Sequence, residues 1–164
     1  MDKSIRDFFD IGTGVKVPGT GIELTSFNAS RHAVFAIDLG IEVDRVYISS
    51  NNEGMLKLQP VPPGFAQKRI VDLAAIHSAG AHGCFPQNCC LAVGELLWQA
   101  FESHSSDDQR RILHDALDKT KELRTRCQDQ IQAVAKALLN APGRMLSGRE
   151  VMGIMRAIKK STRG

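Results

Sequence analysis

The residue types best suited to metal binding or nucleophilic catalysis lie close together between residues 77 and 90. They are His77, His82, Cys84, Cys89 and Cys90, and imidazole and thiolate are the ligands that zinc prefers. Their spacing lacks the paired Cys-x2-Cys units of structural zinc sites, and no recognisable Cys/His arrangement for a thiol enzyme surrounds them. We therefore expect buried structural cysteines, with no metal, no cofactor and no catalytic residue, in a protein that is not an enzyme. A zinc site in this cluster, or a zinc- or thiol-dependent enzyme, is the alternative.

Positive charge is concentrated in the last part of the chain. Residues 141–164 carry six Lys/Arg and one acidic residue, whereas residues 1–61 carry six Lys/Arg and eight Asp/Glu. Exposed cations on a helix can neutralise phosphates, which supply most of the non-specific affinity for nucleic acid. The candidate nucleic-acid contacts are Arg144, Arg149, Arg156, Lys159, Lys160 and Arg163. A solvated basic face without a partner is the alternative.

Length and composition favour a globular protein of one or two small domains. The chain has 164 residues, of which 43% are hydrophobic and 24% charged, so disorder is excluded as its main state. No stretch approaches the ~20 apolar residues of a membrane span, and the charged N-terminus lacks the apolar core of a secretory signal. We expect a cytoplasmic protein with no membrane partner.

Residues 1–61 predict a β-rich N-terminal domain. Its expected elements are a helix at 4–10, a hairpin of strands at 15–17 and 22–27, a helix at 31–39, and strands at 45–49 and 55–61. A strand over 32–37 is the alternative to the second helix. Gly40 suits the position after that helix because glycine tolerates positive φ, and Pro60, Pro62, Pro63 and Gly64 mark the domain boundary.

Residues 13–61 resemble the AbrB/MazE-like swapped-hairpin domains. The resemblance rests on the hairpin and short helix and on three motifs, Leu39-Gly40-Ile41, Asp44-Arg45-Val46 and the strand that ends at Pro60. It implies an intertwined dimer that binds DNA, as in repressors and antitoxins. Because this segment is net acidic where a DNA-reading domain is expected to be basic, the alternative is an ordinary small β-rich domain.

Residues 64–164 predict an all-helical domain, so the expected fold class is α+β. Helices are expected at 65–79, at 88–103, from a capping box at Ser106 and Gln109 to Pro142, and from a second capping box at Ser147 and Glu150. Residues 138–152 resemble the first two helices of a winged helix-turn-helix domain, which implies DNA binding. A helical hairpin with a solvated basic face is the alternative.

The helix predicted from Ser106 to Pro142 would be about 50 Å long. It carries a narrow stripe of apolar residues at steps of three and four. The expected interface residues are Leu113, Leu117, Leu123, Ile131, Val134 and Leu138. Such a helix is long for a domain of this size, so we expect part of the stripe to bind a second copy, most simply in a homodimer. The alternative is that the helices at 65–79 and 88–103 cover the stripe within one chain.

Two functions are compatible with these features. The first is a nucleic-acid-associated regulatory protein, DNA-binding and oligomeric, whose basic C-terminal helix contacts phosphates and which acts in transcription regulation. The second is a protein-interaction or structural subunit of a larger complex that uses the long helix and does not contact nucleic acid. Phosphate binding releases counterions, so a steep fall of affinity with salt would distinguish the first from the second.

Overall fold

The structure, a computed structural model, describes residues 21–50, 53–80 and 91–164. Its helices are α1 (Gly21–Asp38), α2 (Phe65–Lys68), α3 (Ile70–His77), α4 (Leu91–Phe101), α5 (Ser106–Asn140) and α6 (Gly148–Ser161). Its strands are β1 (Val43–Ser50), β2 (Glu53–Leu58) and β3 (Met145–Ser147). A small sheet with a mostly helical remainder confirms the predicted α+β class.

The sheet joins distant parts of the chain. Its strand order is β2-β1-β3 with antiparallel pairing throughout, and Val46 of β1 lies opposite both Leu56 and Leu146. The strands predicted at 45–49 and 55–61 are confirmed, although β2 ends at Leu58. Because β3 comes from the C-terminal segment, residues 1–61 and 64–164 contribute to one sheet. The division into two domains at this boundary stays a prediction.

Helix α1 differs most from the expectation. Residues 22–27, predicted as a strand, form its first turns, so the helix begins ten residues before the predicted start at 31. The helix at 31–39 is confirmed against the strand alternative, and Gly40 follows it with a φ of 76°. The elements predicted at 4–10 and 15–17 lie outside the described residues.

The surroundings of α1 explain why its first turns are helical although the sequence pattern predicts a strand. The sheet, α3, α5 and α6 all contact this helix, and no residue from 24 to 39 is exposed. Small side chains allow this close approach, and those that are buried include Ser26, Ala29, Ser30, Ala33 and Ala36. Ser26 Oγ donates a hydrogen bond to Ala135 O of α5 at 2.7 Å. Tertiary packing therefore overrides the weak local preference for a strand.

Two side chains connect α1 to the end of α3. Arg31 Nη1 donates to Ala79 O at 2.8 Å, and His32 Nδ1 bonds to Ile76 O at 2.7 Å. The last carbonyls of a helix have no partner within it, and these two side chains bond to Ile76 O in the last turn of α3 and to Ala79 O just beyond it. Because a carbonyl oxygen can only accept, His32 carries its proton on Nδ1.

One further expectation needs correction, and another stays a prediction. The helix predicted at 65–79 is interrupted at Arg69, between α2 and α3, where the Arg69 side chain donates to Leu39 O and to Asp72. Residues 138–152, which resemble the first two helices of a winged helix-turn-helix domain, form the end of α5, strand β3, which pairs with β1, and the start of α6. The DNA binding that this resemblance implies stays a prediction. Helix α4 falls within the predicted range 88–103.

Helix α5 confirms the predicted long helix, which is about 50 Å long at ~1.5 Å per residue. Its N-cap is Ser105, whose side chain accepts a hydrogen bond from Asp108 N at 3.2 Å. The capping box predicted at Ser106 and Gln109 is therefore wrong by one residue. The cap position moves because Ser105 has the extended backbone that an N-cap requires, while Ser106 is already helical.

The apolar stripe of α5 is largely covered within the chain. Of the six residues expected to form an oligomer interface, Leu117 is exposed, at 39%. The buried ones are Leu113, Leu123, Ile131, Val134 and Leu138. Helices α1, α3 and α6 contact α5, and Ser26, in the segment of α1 predicted as a strand, donates a hydrogen bond to Ala135 O of α5. The stripe thus gives little reason to expect a second copy, and the homodimer stays a prediction.

A substitution at Gly148 tests how closely the start of α6 packs against strand β1. A Cβ at this position would lie 1.9 Å from Val43 O, whereas a Cβ at Gly153 on the same helix would meet nothing within 4 Å. We expect Gly148→Ala to lower the free energy of unfolding by roughly 3 kcal/mol or more. Gly153→Ala, the matched control, should raise it by about 0.5–1 kcal/mol because alanine favours the helix. Urea unfolding of both variants measures the difference, and equal effects would contradict this junction.

A substitution at Leu123 tests whether the apolar stripe of α5 is buried in the chain's own core. Leu123 is 0% exposed and Leu117 is 39% exposed, so Leu123→Lys buries an unpaired charge and Leu117→Lys does not. We expect the first variant to lose its cooperative unfolding transition and the second to stay within about 0.5 kcal/mol of the parent. Circular dichroism and light scattering provide the readout. A Leu123→Lys variant that stays folded with half the parent's mass would show instead that this residue lies in a dimer interface.

Candidate nucleic-acid interface

The first turn of α6 fixes where this helix begins. Glu150 N donates to Ser147 Oγ at 3.2 Å, and Ser147 N donates to the Glu150 carboxylate at 2.7 Å. The predicted capping box is therefore confirmed, and the backbone N–H of Ser147 that donates to the carboxylate lowers the pKa of Glu150. Val151 and Met155 are buried, so the helix turns its opposite side to solvent.

All six predicted nucleic-acid contacts are exposed, namely Arg144, Arg149, Arg156, Lys159, Lys160 and Arg163. Arg149, Arg156 and Lys160 lie at separations of seven and four residues, which return to almost the same angle around an α-helix. These three residues form a stripe about 16 Å long, which we call the basic face. Arg144 precedes α6 and Arg163 follows it, so they stand near the two ends of this face.

The basic face has no acidic partner in the part of the chain that the structure describes. Helix α5 shows the opposite arrangement, since three of its exposed cations pair with aspartates of the same helix. These pairs are Arg110 with Asp107, Arg111 with Asp108, and Lys121 with Asp118. The positive potential of the basic face is therefore not neutralised locally, whereas that of α5 is.

Lys159 differs from the other five predicted contacts because it faces a carboxylate. Its Nζ lies 3.7 Å from Oδ1 of Asp38, whose side chain is only 8% exposed. The other oxygen of Asp38 accepts a hydrogen bond from Arg126 of α5, and this bond raises the pKa of Arg126. Asp38 thus joins the end of α1 to both α5 and α6, and Lys159 is partly engaged in this junction.

Most of the His/Cys cluster lies outside the described residues, which include only His77 of its members. His77 is the last residue of α3 and lies beside α4, where a Cβ at Gly94 would be 3.4 Å from its Cε1. Burial lowers the pKa of His77 to about 4. Within the described ranges, no group of three or more His, Cys, Asp or Glu side chains could hold a metal ion.

Two arginines that share a cavity were not expected from the sequence. Arg31 of α1 and Arg124 of α5 line the same space between their helices. Hydrophobic periodicity identifies the buried side of each helix, but it does not pair partly buried cations that are far apart in the chain. The local signal is a charged residue at helical spacing from apolar ones, since Arg31 lies four residues from both Phe27 and Phe35.

No protein-family model matches the chain, and no curated protein does. The resemblance of residues 13–61 to AbrB/MazE-like domains therefore stays a prediction that rests on short motifs. None of the described helices is both long enough and apolar enough to cross a lipid bilayer.

Two histidines make the stability of the fold depend on pH. Burial lowers the pKa of His32 to about 3 and that of His77 to about 4, whereas an unfolded histidine titrates near pH ~6.5. Below that pH the unfolded state binds protons that the folded state does not, so the free energy of unfolding falls as the pH falls. We expect a loss of roughly 4 kcal/mol between pH ~7.5 and ~5.

Urea unfolding at these two pH values measures this loss. The control is an NMR titration of the imidazole resonances in the folded protein, which should show both rings still neutral at pH ~5. Resonances of His32 or His77 that titrate near pH ~6.5 would contradict the burial that we describe.

Proposed function

We propose that the protein is a cytoplasmic, non-enzymatic regulatory protein that associates with nucleic acid, DNA in particular, through the basic face of α6. One observation carries the proposal: Arg149, Arg156 and Lys160 are exposed on one side of the helix and have no acidic partner in the described chain. Phosphates are the partner that this arrangement fits, because guanidinium and ammonium groups neutralise them and release counterions.

The dimensions of the basic face are compatible with one nucleic-acid strand. Its length of about 16 Å spans roughly five phosphates at ~3.4 Å of helix axis per phosphate. Gly153 and Ala157 are exposed next to the cations, so the helix offers little steric hindrance to a close approach. Contacts between cationic side chains and phosphates fix the position and orientation of a protein on nucleic acid.

Direct reading of bases is expected to be limited. The segment 141–164 contains no Gln and no Asn, the side chains that read adenine in the major groove, although its arginines can read guanine there. The buried residues Val151 and Met155 hold the other side of α6 against the rest of the chain. Recognition therefore depends on charge and on the shape of the backbone.

The second candidate, a protein-interaction subunit that uses α5, has one supporting observation. Leu117 is exposed on α5 and could contact a partner. The other five residues of its stripe are buried within the chain, so the apolar surface left for a partner is small.

Charge-removing variants test the proposed function. The triple variant Arg149→Gln, Arg156→Gln, Lys160→Gln removes the basic face, and we expect it to bind a DNA duplex more weakly. The slope of log K against log salt concentration should fall by about 3, since each lost phosphate contact contributes about 0.9. Fluorescence anisotropy at about 50 to 200 mM salt measures this slope.

The matched control removes three exposed cations from α5 with Arg110→Gln, Arg111→Gln, Lys121→Gln. Its net charge equals that of the first variant, but its cations have acidic partners, so its slope should stay close to that of the parent. Equal slopes for both triple variants would show that net charge alone matters. Failure of the parent to retard any duplex or single strand at low salt would rule out the function.

A further inference from the structure

A cavity between α1 and α5 contains two cations and no acidic residue in its lining. Its volume is about 240 Å³. The lining residues are Phe27, Arg31, Arg124, Thr125, Gln128 and Ile131. Aromatic and aliphatic groups thus stand beside guanidinium and amide donors, which is the mixed lining typical of small-molecule sites.

Arg31 forms a fixed wall of this cavity. Its Nη1 donates to Ala79 O at 2.8 Å, and its Cζ lies 4.9 Å from the centroid of the Phe27 ring. The carbonyl and the aromatic ring hold the guanidinium in place. Its positive charge therefore acts on the cavity from a defined position.

Arg124 lies on α5, on the opposite side of the cavity, and two of its nitrogens lack hydrogen-bond partners. Its Nε and Nη2 are shielded from solvent and have no hydrogen-bond partner, and burial lowers the pKa of its guanidinium. No ion pair of Arg124 occurs in the described parts of the chain, whereas Arg126 on the same helix pairs with Asp38 and with Glu122.

Such donors are costly to leave unsatisfied. A buried N–H without an acceptor keeps its full desolvation penalty, and a partly buried charge without a counter-charge adds to it. Buried polar groups in folded proteins nearly always have a partner, and the exceptions often mark an ion or ligand site. An anion in the cavity would supply both the missing acceptor and the missing counter-charge.

We propose that this cavity binds the oxyanion group of a small molecule, a phosphate or a carboxylate. On binding, the Arg124 side chain rotates so that its Nε and Nη2 edge, which is shielded from solvent in the free chain, meets the anion. This edge matches the two oxygens of a phosphate or carboxylate. Arg31 adds a second positive charge, and Gln128 adds an amide donor at the rim. The cavity is smaller than the ~300 Å³ of typical drug-sized pockets, so the ligand is inorganic phosphate, a small phosphomonoester or a small organic acid.

Titration of the full chain with two probes, inorganic phosphate and succinate, tests this site at constant ionic strength. We expect saturable binding in at least one titration, and the tighter of the two identifies phosphate or carboxylate as the preferred group. Backbone amide resonances should shift near Phe27 and between residues 124 and 131. Arg124→Gln should weaken binding about tenfold or more, since it removes a charge-assisted hydrogen bond.

The matched control is Arg111→Gln, the same substitution on the same helix at an exposed arginine that pairs with Asp108. It should leave the dissociation constant unchanged. The triple variant of the basic face should also keep this binding, which separates the cavity from the proposed nucleic-acid contact. If Arg124→Gln does not fold, the map of shifted resonances in the parent decides.

Three results would overturn the site. They are no saturable binding of either probe, resonance shifts confined to α6, and equal weakening by Arg124→Gln and Arg111→Gln. Loss of nucleic-acid binding in the triple variant would leave this inference intact, because the two surfaces share no residue.

Discussion

Close packing around α1 is the constraint on which the rest of the structure depends. The sheet covers one side of this helix and α3, α5 and α6 cover others, so its side chains must be small or must find polar partners inside the core. Ala29 shows how tight the approach is, since a Cβ at Gly54 of β2 would lie 2.8 Å from Ala29 Cβ. Ser26 and His32 meet the second condition by hydrogen bonding to carbonyls of α5 and α3.

The same burial explains where the sequence was informative about the fold. Helix α5 has one buried side, so its stripe at steps of three and four residues predicts the helix correctly. Local stereochemistry was equally clear at Gly40 and at the Ser147–Glu150 capping box. Helix α1 has no solvent side over most of its length, and residues 22–27 therefore lack the amphipathic period that would have identified them as helical. Strand β3 is too short to give any pattern.

The two candidate sites also differ in how far the sequence could predict them. The basic face could be predicted because the exposed side of an amphipathic helix follows from its buried side, here Val151 and Met155. The cavity of Arg31 and Arg124 depends on how two helices pack against each other, and periodicity within either helix does not contain that information. Its one local sign is the helical spacing of Arg31 from Phe27 and Phe35, which sequence alone cannot distinguish from an arginine that extends to solvent.

The pairing of β1 with β3 has a consequence for the synthesis of the chain. A ribosome completes β1 and β2 long before it adds residues 145–147, so until then the edge of β1 that β3 will pair with has unpaired N–H and C=O groups. A two-stranded hairpin is only marginally stable alone, and contacts between residues so distant in sequence form slowly. A nascent chain that stalls before residue 145 therefore exposes an open β-edge, which is a template for pairing with another such chain and a target for chaperones.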